Sequence, residues 1–161
     1  MADEVLETVE GDGYTVGHLS GLGEGYGFRK IRRRLGVTAF GINAIVIPPG
    51  YETGRHFHEQ QEETYFVHSG RIEIEFGDGS RHVLGPGGLA RVDAPTVRKI
   101  RNMSDTDDAI YVIVGGKDGY LGRDGRLPKD SPMVLMARDA SLSALVPYTT
   151  HRPLPAVPGT D

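Results

Sequence analysis

The sequence predicts an all-β fold, a barrel or sandwich of short strands, and three observations carry that expectation. Turn-forming residues are abundant: Gly is 23 and Pro 10 of 161 residues, about a fifth of the chain, where ~12% is usual. Several short segments alternate apolar and polar residues with period two, as half-buried strands do. No long segment carries the 3.6-residue period of an amphipathic helix. Short strands separated by closely spaced turns read as a sandwich or barrel.

Each strand follows from its own pattern. TAFGINAIVI (38–47) is β-prone and stops at Pro48-Pro49-Gly50. Glu63, Tyr65 and Val67 share one face of the next strand, and Thr64, Phe66 and His68 the other. Ile72, Ile74 and Phe76 alternate with Arg71, Glu73 and Glu75. Gly77-Asp78-Gly79 reads as a hairpin turn, because Asp-Gly tolerates the positive φ that tight turns need. Strands are expected at 82–84, 89–92 and 97–102, with breaks at Gly85-Pro86-Gly87-Gly88 and Asp93-Ala94-Pro95. The apolar AIYVIV (109–114) reads as a strand buried on both sides. Phe40, Ile42, Ile47, Ile72, Ile74 and Tyr111 are the expected barrel lining or core.

The flanks are less patterned. Residues 1–20 are polar without a clear period. GLGEGYG (21–27) reads as a connector, since no strand-to-helix pattern surrounds its G-x-G as a dinucleotide fingerprint requires. Arg29, Lys30, Arg32, Arg33 and Arg34 form a basic run, read as a solvated edge strand or arm. The expected organisation is an N-terminal arm and loop at 1–36, a barrel core at 37–116 and a C-terminal extension at 117–161. One short helix is expected within 133–145, and the Pro-rich end with His151 is expected to be inert.

Composition limits the partners. Formal net charge is −4, which argues against nucleic-acid binding. No stretch reaches the ~18–20 apolar residues of a membrane span. The acidic MADEVLETVE lacks the apolar run of a signal peptide. Cysteine is absent, which suits a reducing cytoplasm; a cytoplasmic location is the expectation.

The candidate chemistry centres on His56, His58 and Glu63. Residues i and i+2 of a strand face the same way, so the two imidazoles can grip one ion. Glu63 sits on an alternating strand whose inward carboxylate must be paired or coordinated. Two histidines and a carboxylate are the ligand set of many open metal sites. The run GYETGRHFHEQQEETYFVHSG (50–70) places Gly50, five residues, His56, one residue, His58, four residues, Glu63, six residues, then Gly70. This spacing resembles the first motif of the cupin superfamily at each defining position.

That resemblance, reaching from about Ile42 to Val114, implies a single cupin domain. Its fold is a double-stranded β-helix, or jelly-roll, barrel with ligands pointing inward. A homodimer is also expected by resemblance, with the Thr64, Phe66 and His68 face as one contributor. The second cupin motif departs from the pattern. Arg98 stands where a histidine is usual, Pro95 at the Gly position and Asp93 at the Pro position, while the closing Asn102 is kept.

Arg98 opens two readings, because a guanidinium cannot ligate a metal. In the first, Arg98 pairs with Glu63 in place of a metal and the barrel is a non-catalytic small-molecule binder. In the second, His56, His58 and Glu63 hold one divalent transition metal (Fe, Mn, Ni or Zn). Arg98 then anchors a small anionic substrate of an oxygenase, isomerase or lyase, with Tyr65 a proton donor. A tyrosine simply packed in the core is the plainer reading of Tyr65. Gln60, Gln61, Glu62 and His68 are expected at the surface, and His82 on an outer strand.

Overall fold

The structure, a computed structural model, describes residues 4–131. The expected helix at 133–145, the Pro-rich end and His151 lie outside the described residues. The chain begins with a hairpin of β1 (Val9–Gly11) and β2 (Tyr14–Val16), followed by a 3-10 turn at Leu19–Leu22. This hairpin escaped the reading of 1–20, although Asp12-Gly13 marks its turn. Its strands are three residues each and mostly exposed, too short for a period to show.

The basic run splits between two elements. Arg29 ends β3 (Gly27–Arg29), an edge strand, and Arg32–Arg34 lie on α1 (Ile31–Leu35). Arg33 and Arg34 are solvated as expected, but Arg29 is buried and donates from Nη2 to the Gly25 carbonyl at 2.7 Å. Arg32 lies over the Tyr120 ring, 3.8 Å from its centroid, a cation–π contact.

Two sheets form the barrel. β4 (Gly41–Ile47), β6 (Glu62–Ser69), β9 (Leu89–Val92) and β11 (Ala109–Gly116) join β3 in the order β3-β4-β11-β6-β9. β7 (Ile72–Phe76), β8 (Arg81–Leu84) and β10 (Arg98–Asn102) form the second sheet in the order β10-β7-β8. All pairs are antiparallel. Ile45, Ile47, Tyr65, Val67 and Tyr111 from the first sheet meet Ile72, Ile74 and Ile100 from the second. This is the jelly-roll barrel expected from the sequence.

Three expectations need correction. Phe40 is exposed, because β4 begins at Gly41 rather than at Thr38. β11 buries one face: Ala109 and Tyr111 are inaccessible, while Ile110 and Val112 between them are half-buried. Its apolar run comes from a central strand whose outer face is only partly covered. Ile42 is half-buried rather than core, whereas Ile47, Ile72, Ile74 and Tyr111 are core as expected. No helix among the described residues is long and apolar enough to cross a membrane.

The glycines that bracket 50–70 have a backbone reason. Gly50 has φ +66 and Gly70 has φ +76, a region that residues with a Cβ enter at a cost. A Cβ on Gly70 would also stand 2.7 Å from the Asp108 carbonyl oxygen. The segment 51–58 runs antiparallel beside β10, with hydrogen bonds Thr53 N to Ile100 O (2.8 Å), His56 N to Arg98 O (3.0 Å) and Arg98 N to His56 O (2.9 Å). β5 (Phe57–His58) then pairs with β12 (Gly125–Arg126), which returns from beyond the barrel strands.

Asn102 closes the barrel at its other end. It is fully buried. Its amide nitrogen donates among the carbonyls of Ile47, Pro48 and Asp107 at 3.2, 3.1 and 2.8 Å, and its Oδ1 accepts from Ser104 N at 3.0 Å. Asn102→Ala strands these groups in the interior. It is expected to destabilise the fold by about 2–3 kcal/mol, read as a lowered urea midpoint with unchanged slope.

Candidate functional site

Three elements converge on the site. β6 turns Glu63 and Tyr65 inward, β5 supplies His58, and the strand-like segment before it sets His56 beside Arg98. Glu63 pairs across β6–β11 with Gly115 and across β6–β9 with Val92. His56, His58 and Glu63 are each buried, and one donor atom from each lies within 4.8 Å of the others. The structure brings these three residues together. It lines a cavity of about 200 Å³.

The carboxylate of Glu63 is divided between two tasks. Its Oε2 accepts from the Tyr65 hydroxyl and from Arg98 Nη2, both at 2.6 Å. Its Oε1 faces His58 Nε2 at 3.2 Å. Arg98 is fully buried. Its remaining donors go to Tyr65 Oη (3.2 Å), Thr96 O (2.9 Å) and Ala94 O (3.4 Å). Every guanidinium nitrogen is therefore engaged within the protein, and neither Arg98 nor Tyr65 lines the cavity. The ion pair foreseen between Glu63 and Arg98 is formed.

Electrostatics follow from this packing. Burial pushes the Glu63 carboxyl upward, but the His58 ring, the Arg98 guanidinium and the Tyr65 hydroxyl pull it down to about 2. Burial, reinforced by Arg98, lowers the His56 ring to about 3 against the opposing pull of Glu63. Burial and the neighbouring Glu63 raise the Tyr65 phenol well above its ordinary value, so it stays a donor. Burial opposes the Arg98 charge, yet Tyr65 and Glu63 more than compensate and raise its pKa. At neutral pH the core of the site holds a neutral His56, an anionic Glu63 and a cationic Arg98.

The nitrogen roles decide how well the cluster suits a metal. His56 Nδ1 lies 3.2 Å from the Gly54 carbonyl, which can only accept, so Nδ1 carries the proton and Nε2 is left as the donor atom. His58 Nδ1 lies 3.0 Å from the Gln61 amide nitrogen. With the amide in that sense, Gln61 donates to Nδ1 and His58 Nε2–H donates to Glu63 Oε1. Turning the amide over reverses both roles and presents the Nε2 lone pair beside Oε1. The two senses differ only in which amide atom faces the ring. The three residues could hold a divalent ion, with one donor atom from each within 4.8 Å of the others, while Tyr65 and Arg98 hold Glu63 Oε2 from behind.

Two participants were not foreseen. Gln61 is buried against His58 rather than solvated, because its backbone N–H is drawn in by Asp124. Asp124 Oδ2 accepts from the backbone N–H of Gln60 (3.0 Å) and Gln61 (2.8 Å) and lies 3.6 Å from His58 Nδ1. It is 61 residues beyond Glu63 in the chain, within a Gly- and Asp-rich stretch that carries no local signal. The remaining candidates lie outside the site. Gln60, Glu62 and His68 are exposed, with Glu62 paired to Arg91. His82 is exposed on β8 beside the Phe76 ring.

A jelly-roll barrel with an inward His-His-Glu cluster defines the class of this protein. Residues 44–115, just under half of the chain, match the family model described as a cupin domain, and it is this barrel region that is similar to the cupin superfamily. A solved sugar phosphate isomerase of the cupin superfamily from Silicibacter pomeroyi is similar, with TM-score 0.51 and 25% identity over 66% of this chain and 60% of that one. A cupin protein from Bacteroides fragilis has TM-score 0.51 and 22% identity over 58% of this chain and 77% of that one. The chain thus spans less than two thirds of the isomerase. Comparison with curated proteins finds no match.

Two outcomes are expected of the metal-free protein. Arg98→Met leaves Glu63 buried without its cation and should lower stability by roughly 3–5 kcal/mol, measured by denaturant unfolding. The unfolded chain protonates His56 near its ordinary 6.5 and the folded chain only near 3. The unfolded state therefore binds the extra proton between these values, and stability falls as pH falls, by up to about 1.4 kcal/mol per pH unit. Glu63 adds a loss of the same sign from its ordinary 4.5 down to about 2. Urea midpoints taken across pH should show the slope between 6.5 and 4.5 flattened in His56→Ala.

Proposed function

We propose that the protein binds a small organic molecule in the barrel cavity and, with one divalent transition metal held by His56, His58 and Glu63, acts on it as an oxygenase, isomerase or lyase. The observation that carries this reading is the division of the Glu63 carboxylate. Oε2 is locked by Tyr65 and Arg98, which leaves Oε1 turned toward the imidazoles. A bound Fe, Mn, Ni or Zn would supply Lewis-acid polarisation of the ligand at its open positions. The likeness to a sugar phosphate isomerase supports the isomerase arm of the proposal.

The chain's own residues have distinct parts. His56, with Nδ1 tied to Gly54, orients its Nε2 without needing to lose a proton. Gln61 sets the tautomer of His58. Arg98 serves as a positioning residue behind Glu63, and Tyr65 donates a hydrogen bond to the same oxygen. The cavity of about 200 Å³ lies below the ~300–1,000 Å³ of drug-sized pockets, so the ligand is a small metabolite.

A second reading rests on the same ion pair. Arg98 and Glu63 satisfy each other at 2.6 Å, so the barrel can be a metal-free binding module. Elemental analysis of untagged protein, before and after dialysis against a chelator, separates the two. Near one transition metal per chain, lost in His56→Ala, is expected. Protein that carries none and takes up none of the four added metals sinks the metal reading and leaves the binding barrel.

A further inference from the structure

The segment that follows β11 lies beyond the family match at 44–115, yet it forms part of the cavity wall. Tyr120, Leu121, Arg123, Asp124 and Gly125 line the same space as His56, His58 and Glu63. The strap is tied down on both sides of the site. Asp124 takes the backbone N–H groups of Gln60 and Gln61. Gly125 and Arg126 pair with His58 and Phe57. Arg126 reaches Glu59 at 2.8 Å, and Arg55 lies 3.6 Å from Asp130.

Arg123 stands out within this strap. Its φ is +59, a left-handed conformation that is uncommon for a residue with a Cβ and that clusters at ligand clamps. Its carbonyl is held by Arg126 Nη1 at 2.7 Å. Its side chain is exposed and makes no ion pair or hydrogen bond among the described residues. The other charged groups of the cavity are engaged: Glu63 by Arg98, and Asp124 by two backbone N–H groups. Arg98, the anchor expected from the sequence, has no donor to offer a ligand.

We propose that Arg123 is the ligand's anion anchor, taking a carboxylate or phosphate group of a small organic molecule whose remainder extends toward His56, His58 and Glu63. The guanidinium fork suits the paired oxygens of either group, and the tied-down turn presents it without the ordering of a loop on binding. The inference rests on the reading of this cavity as the ligand site, but not on a bound metal.

The test uses the full-length, chelator-treated protein, followed by 1H–15N NMR. The probes are inorganic phosphate, acetate and, as the uncharged counterpart of acetate, acetamide. One of the two anions should cause saturable shifts at the amides of 56–63 and 120–125, with the preferred anion naming the ligand group, and acetamide should bind at least tenfold more weakly than that anion. Arg123→Gln should weaken the anion at least tenfold and Arg123→Lys should recover part of the loss. Arg33→Gln, on the exposed side of α1, should change nothing. Anion binding that survives Arg123→Gln, or acetamide that matches the anion, overturns Arg123 as anchor and leaves the cavity as a ligand site. Absence of saturable shifts there with all three probes overturns both.

Discussion

The buried pair between Glu63 and Arg98 is the constraint around which the site is arranged. A carboxylate facing the inside of a barrel cannot stay ionised alone, and a fully buried guanidinium cannot discard its charge. Each solves the other's problem, with Tyr65 hydrogen-bonded to both. The pair consumes one carboxylate oxygen and leaves the other for His58. It also keeps a positive charge close to the imidazoles, which is part of why His56 stays neutral far below its ordinary range.

An arginine in this position does more than remove a ligand. It spans from β10 to β6, tying the two sheets together behind Glu63, and its Nη1 holds the carbonyls of Thr96 and Ala94 in the loop before β10. Its guanidinium lies behind Glu63 and fixes the carboxylate's orientation. The guanidinium offers no metal donor, and its pairing with Glu63 leaves neither buried charge uncompensated.

The strap formed by 120–126 completes what the barrel strands leave open. Asp124 converts a loop between His58 and Glu63 into a held turn, and that turn places Gln61 against His58. Control of the imidazole tautomer thus depends on a carboxylate far away in the chain. Arg32, stacked on Tyr120, links the strap to the N-terminal flank, so segments from both sides of the barrel strands meet at the mouth.

What the sequence determined by itself was local. Period-two alternation placed β6 and β7 and told which residues of each share a face, because a strand's side chains alternate whatever it packs against. The shared face of His56 and His58 was legible for the same reason, while the link to Glu63 and to the glycines at 50 and 70 rested on the motif spacing. Other features were decided only by tertiary structure. Phe40 and the outer face of β11 could not be judged from hydrophobicity, since burial depends on which neighbour covers a face. The depth of Arg98 depends on the distance between two sheets. Asp124 and Arg123 reach the site only because the chain folds back across the mouth, and no periodicity records a contact between segments that distant.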